Sequence, residues 1–115
     1  MRALLLLLPA LALSACSGPT CQSSCEKLFG DDPGECNIQV PNTDPEDMLV
    51  ECLSHCDDAM ARNGDVGTYD PNQRSVGAEV SLQNEKQAAL WMDCVDQTAC
   101  DLLKEGLCSP TQNFP

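Results

Sequence analysis

Eight of the nine cysteines in this 115-residue chain lie between positions 21 and 108, and their spacing limits the fold more than any other feature. Cys21 and Cys25 form one CX3C pair, and Cys52 and Cys56 form a second. Residues four apart share one face of an α-helix. When two antiparallel helices are bridged twice, the residue numbers in each bonded pair add to the same total. Cys21 with Cys56, and Cys25 with Cys52, meet that condition. Two such staples clamp the first two helices into a hairpin, although a layout in which Cys21 or Cys25 reaches the third helix stays open. Cys36, Cys94, Cys100 and Cys108 form a second set that ties the remaining helices to a loop. Spacing does not choose among their pairings. Cys94 and Cys100, six apart, would point to different sides of one continuous helix, which calls for a break near Gln97-Thr98.

The composition explains why cross-links matter here. Aromatic residues make up 3% of the chain, so a small domain has few large apolar groups with which to build a core. A native disulfide typically contributes about 2–4 kcal/mol, and four would supply much of the folding free energy. Cysteines persist as disulfides in exported proteins.

The N-terminus points to export. Met1-Arg2 brings one positive charge, and residues 3–13 are apolar apart from Pro9. This is the pattern of a secretory signal, and it falls short of the roughly 20 residues that span a bilayer. An ordinary signal would be cleaved after a motif such as Ala10-Leu11-Ala12. The next residues, Leu13-Ser14-Ala15-Cys16, resemble the lipobox of bacterial lipoproteins. That resemblance implies cleavage between Ala15 and Cys16, a diacylglyceryl thioether on Cys16, and a third acyl chain on its new amino group. Parity agrees with it, because an odd cysteine in an oxidising compartment marks a reactive or modified thiol. Setting Cys16 aside leaves eight. Ser17 follows Cys16 where an aspartate would favour the inner membrane, so the analogy points to the outer membrane. Residues 1–15 are then a removed signal peptide and residues 16–20 a lipidated tether. Its last four residues reach roughly 13–14 Å when extended.

Four helices are expected beyond the tether. Thr20 caps the first, which runs to Phe29 and stops at Gly30. Residues 31–34, Asp-Asp-Pro-Gly, make a turn. Asp44 caps the second, Pro45 suits its first position, and Glu46 and Asp47 favour the positive end of its dipole. Met48, Leu49, Cys52, Leu53, Cys56, Ala59 and Met60 then form its apolar stripe, and Asn63-Gly64 ends it. Residues 65–77 read as a flexible loop. The third helix is predicted over residues 81–97, with Leu90, Trp91, Cys94 and Val95 facing inward. Thr98-Ala99-Cys100-Asp101 reads as a capping box for a short fourth helix. Gly106 closes it with Leu107 packing back, and residues 109–115 form a disordered tail.

The twin CX3C spacing resembles that of twin-CX3C helical-hairpin proteins, a local likeness that does not transfer their chaperone activity. With the lipobox and the closing run Cys94, Cys100, Cys108, the whole resembles small cysteine-rich bacterial lipoproteins of unknown function. That resemblance implies no activity.

The remaining residues narrow the chemistry. Eighteen acidic residues face six basic ones, for a formal net charge of −12, and the cations are scattered. Nucleic acid, bound largely through phosphate neutralisation, is a poor partner for such a chain. A thiol oxidoreductase would want a Cys-x-x-Cys, which is absent. Zinc would have only His55 beside the thiols. Ser54 and His55, adjacent on a helix, point apart, so no nucleophile–base pair forms. Met48, Met60 and Met92 fit core filling better than copper. Asp57, Asp58, Asp65 and Asp70 gather around the loop, offering oxygen ligands for calcium without the EF-hand pattern. The expectation is a mainly α, disulfide-stapled domain over residues 21–108 with no cofactor and no small-molecule substrate. It acts as a non-catalytic binding or structural module, facing the periplasm or cell surface and meeting an envelope protein. The alternative is a divalent-cation-binding or sensor lipoprotein that uses the acidic loop.

Overall fold

The computed structural model describes residues 18–72 and 82–108. The expected signal peptide, Cys16, residues 73–81 with the expected start of the third helix, and residues 109–115 with the expected tail lie outside the described residues. The protein is mainly helical: 52% of the described residues are helical and none is in a strand. The order is α1 (Cys21–Phe29), α2 (Pro45–Met60), α3 (Glu85–Gln97) and α4 (Cys100–Lys104).

The first two helices begin where their capping residues stand. The Thr20 hydroxyl accepts from the Ser23 N–H, and the Ser23 hydroxyl accepts from the Thr20 N–H, closing a reciprocal box. Asp44 accepts from the Glu46 N–H, with Pro45 in the first turn. The free carbonyls at the end of α1 do not face solvent alone. Cys36 N–H donates to Lys27 O and Ile38 N–H to Leu28 O, so the α1–α2 connection returns along the helix end and buries Cys36 and Ile38.

α1, α2 and α3 pack on one another in a triangle. Its interior holds Leu28, Met48, Trp91, Val95 and Leu103, interleaved with the half-cystines. The direction of α3 is fixed at both ends. Asn84, its cap, accepts from the Lys86 and Gln87 N–H groups and donates its amide to Asp65 O, while Glu85 N–H donates to Arg62 O. The start of α3 is therefore tied to the exit of α2. A Cβ at Gly64 would lie 2.6 Å from the Asn84 amide, so the chain there has room for glycine alone. At the other end the Lys27 ammonium donates to the carbonyls of Val95 (2.7 Å), Thr98 (2.8 Å) and Asp96 (3.0 Å). A cation from α1 thus terminates α3, where the helix dipole is negative. α1 and α3 run side by side in the same sense, antiparallel to α2.

Several sequence expectations are corrected. α2 ends at Met60, not at Asn63-Gly64, because the Ala61 N–H already closes the last turn onto Asp57 and Asp58. α3 begins at Glu85; residues 82–84 are non-helical because Asn84 takes the cap. Thr98 does not cap α4. Its hydroxyl turns back to donate to Cys94 O, and Ala99 occupies the cap position without a side-chain bond. Leu90 is 37% exposed and Met60 44%, so neither faces the core. Gly106 does close α4. With φ of +104° it lets its own N–H donate to Leu103 O and the Leu107 N–H to Leu102 O, and Leu107 folds against the core.

Ser24 in α1 is buried, and its hydroxyl has no hydrogen-bond partner among the described residues. A buried hydroxyl without a partner costs its lost hydration, and alanine is the better helix former. Ser24→Ala is expected to raise stability by about 1 kcal/mol. An unchanged or lowered urea midpoint would show that this hydroxyl is satisfied in solution.

Candidate functional site

The four bridges are Cys21–Cys56, Cys25–Cys52, Cys36–Cys100 and Cys94–Cys108. The first two sit one helical turn apart, rung above rung, between α1 and α2. Cys36–Cys100 joins the α1–α2 connection to α4, and Cys94–Cys108 ties α3 to the end of the described chain. Seven of these cysteines are buried and Cys100 is half-buried. No sulfur among them is left as a thiol. Cys94 Sγ lies 3.4 Å from Asn72 Oδ1, and as a half-cystine it makes this contact without donating a proton.

The other residues singled out by the sequence do not converge. His55 is half-buried and Ser54 exposed, roughly 100° apart around α2. Asp57, Asp58, Asp65 and Asp70 are exposed, and among the described residues no three of His, Cys, Asp or Glu share a site able to hold a metal ion. Met48 and Met92 fill the core.

Two grooves among the described residues are open to solvent. The larger, about 340 Å³, runs between Tyr69-Asp70-Pro71-Asn72 and the side of α3 from Leu90 to Gln97, ending at Thr98. The Tyr69 hydroxyl is buried without a hydrogen-bond partner among the described residues. Burial first, and the neighbouring Asp70 carboxylate second, push the phenol well above its usual range. The sign follows. Above about pH 10 the unfolded chain releases this proton while the folded chain keeps it, so stability falls as pH rises. Tyr69→Phe is expected to abolish that alkaline loss and to leave stability at neutral pH equal or slightly higher. Urea titrations of both chains at pH 8 and 11 check it, and parallel losses would contradict it.

The smaller groove, about 200 Å³, lies where α1 ends and α2 begins. Pro45 and Leu49 supply its apolar surface over the buried Phe29, Asn37 and Gly30 complete its wall, and the exposed Asp31 and Glu46 form its rim. Both carboxylates are exposed, and neither has a hydrogen-bond or ion-pair partner among the described residues. Asn37 holds φ at +48°, the left-handed turn that brings the chain back over the end of α1. Neither groove has a signature in the sequence, and the role of Lys27 has almost none. The only local sign of the latter is a cation in the last turn of a short helix.

Among the described residues, the bridges, caps and triangular core define a four-helix, four-disulfide domain. Comparison with protein-family models, curated proteins and solved structures returned no match.

Proposed function

We propose that the chain is a lipid-anchored protein of the bacterial cell envelope, at the outer membrane, serving as a non-catalytic binding or structural module. The observation that carries the reading is the sulfur inventory. All eight cysteines from Cys21 to Cys108 are consumed in bridges, which leaves Cys16 as the odd one, at the end of the Leu13-Ser14-Ala15 motif. Disulfides throughout a small domain suit an oxidising compartment. A capped helix that starts at Cys21, five residues after Cys16, leaves room for a tether and little else. With two or more acyl chains the anchor is stable without help from the strongly acidic domain. The module catalyses nothing in this reading; Ser54 and His55, adjacent in sequence, do not meet.

The test is the intact mass of protein purified from envelope, before and after thiol alkylation without reduction. The expected mass lacks residues 1–15, carries the acylated glyceryl group, and gains nothing on alkylation. An unmodified Cys16, or alkylation at several of the eight, overturns the proposal.

A further inference from the structure

The smaller groove lies at the end of the hairpin remote from Thr20, since it is built from the end of α1 and the start of α2. At about 1.5 Å per residue, α1 carries it roughly 13 Å beyond the point where the tether enters. We propose that this groove is the docking surface of the module, and that its occupant is an apolar segment bearing arginine from another envelope protein. The direction of the surface, away from the bilayer, rests on the lipid-anchor reading; its chemistry does not.

Size, lining and charge choose the occupant. At about 200 Å³ the groove falls below the range of roughly 300–1,000 Å³ usual for small-molecule sites, yet it accommodates an anchoring side chain. Half-buried Pro45 and Leu49, backed by the buried Phe29, give an aliphatic stem apolar surface to lie on. Asp31 and Glu46 at the rim are unpartnered among the described residues, and no cationic side chain lines the groove. Two carboxylates over an apolar floor complement a guanidinium, which keeps its charge, forms paired hydrogen bonds to carboxylate and sheds water more readily than an ammonium. The surplus of acidic residues over the whole chain steers such a segment inward and repels acidic ones.

The experiment uses the full chain in discs of zwitterionic phospholipid. The probes are soluble Gly-Ser peptides with a central Leu-Arg-Leu-Arg, Leu-Lys-Leu-Lys or Leu-Ser-Leu-Ser, and binding is read by fluorescence anisotropy. The arginine peptide is expected to bind at least tenfold more tightly than the serine peptide and more tightly than the lysine one. The double variant Asp31→Asn/Glu46→Gln, which keeps side-chain shape, is expected to lose about tenfold of that affinity. The variant Asp57→Asn/Asp58→Asn, altered at the tethered end, is expected to lose little. Equal binding of arginine and serine peptides overturns the proposal, as does an equal loss in both double variants, which would mark general charge attraction. Flotation with lipid vesicles, scored separately, reports the anchor. A chain that floats without binding the peptide refutes the groove alone, and one that binds without floating refutes the anchor alone.

Discussion

Replacing Cys36 and Cys100 together by alanine is expected to cost about 4 kcal/mol, the largest loss from any single bridge. In the chain-entropy account, a cross-link stabilises by restricting the unfolded chain, and more so the longer the loop it closes. This bridge spans 64 residues, against 35, 27 and 14 for Cys21–Cys56, Cys25–Cys52 and Cys94–Cys108. The two hairpin bridges are nested, and that separates them from the others. With Cys25–Cys52 intact, Cys21–Cys56 closes a ring of only about eight residues, so removing either one alone should cost roughly 2–3 kcal/mol. Removing both should cost more than the two single losses combined, because the second loss opens the full loop. Small domains hold about 5–15 kcal/mol in all, so the Cys36/Cys100 variant would stand near unfolding at 37 °C. Urea titrations of the single and combined variants provide the ranking. A Cys36/Cys100 loss no greater than that of one hairpin bridge would mean that loop length does not govern the stability of this fold.

Trp91→Ala is expected to cost about 3–5 kcal/mol, enough to remove most of the remaining margin. Trp91 is fully buried at the junction of the three long helices, and its indole N–H donates to Cys108 O at 3.2 Å. Truncation leaves a cavity and an unpaired carbonyl together. Trp91→Phe separates the two effects: it keeps an aromatic ring but leaves the carbonyl of Cys108 without its donor, for a loss of about 1–3 kcal/mol. Thermal unfolding followed by far-UV circular dichroism measures both, since the phenylalanine variant has no tryptophan to fluoresce. A loss below about 1 kcal/mol for Trp91→Ala would place this side chain outside the core.

The parts of the fold that were legible in the sequence are those with a local cause. Thr20, Asp44 and Pro45 carry their own capping chemistry, and α1 and α2 begin where these residues stand. The hairpin bridges were legible because two helical faces and a shared register relate four positions. The rest depended on contacts between distant segments. Asn84 is a strong capping type, but its place as the start of α3 is sealed by Asp65 and Arg62, across the loop, and does not show in the local sequence. Thr98 sits where a capping box would place it, but the end of α3 claims its hydroxyl. Leu90 lies one position from Trp91, and a turn of 100° is enough to carry it from the core to the rim of the larger groove. Cys36 to Cys100 had no periodicity to reveal it, because both partners lie in short or irregular elements. The acidic rim of the smaller groove was likewise out of reach, since Asp31 and Glu46 meet only through the fold of the connection between them.

The order of the bridges along the chain has a consequence for biosynthesis. None of the four joins cysteines that are neighbours in sequence: Cys36 intervenes between Cys25 and Cys52, and Cys100 between Cys94 and Cys108. On the export route proposed above, an oxidant acting on the polypeptide as it leaves a translocation pore, N-terminus first, would meet Cys21 and Cys25 together and join the wrong sulfurs. Maturation on that route calls for a shuffling enzyme that exchanges thiols, and a host deprived of its disulfide isomerase should accumulate scrambled isomers of this protein.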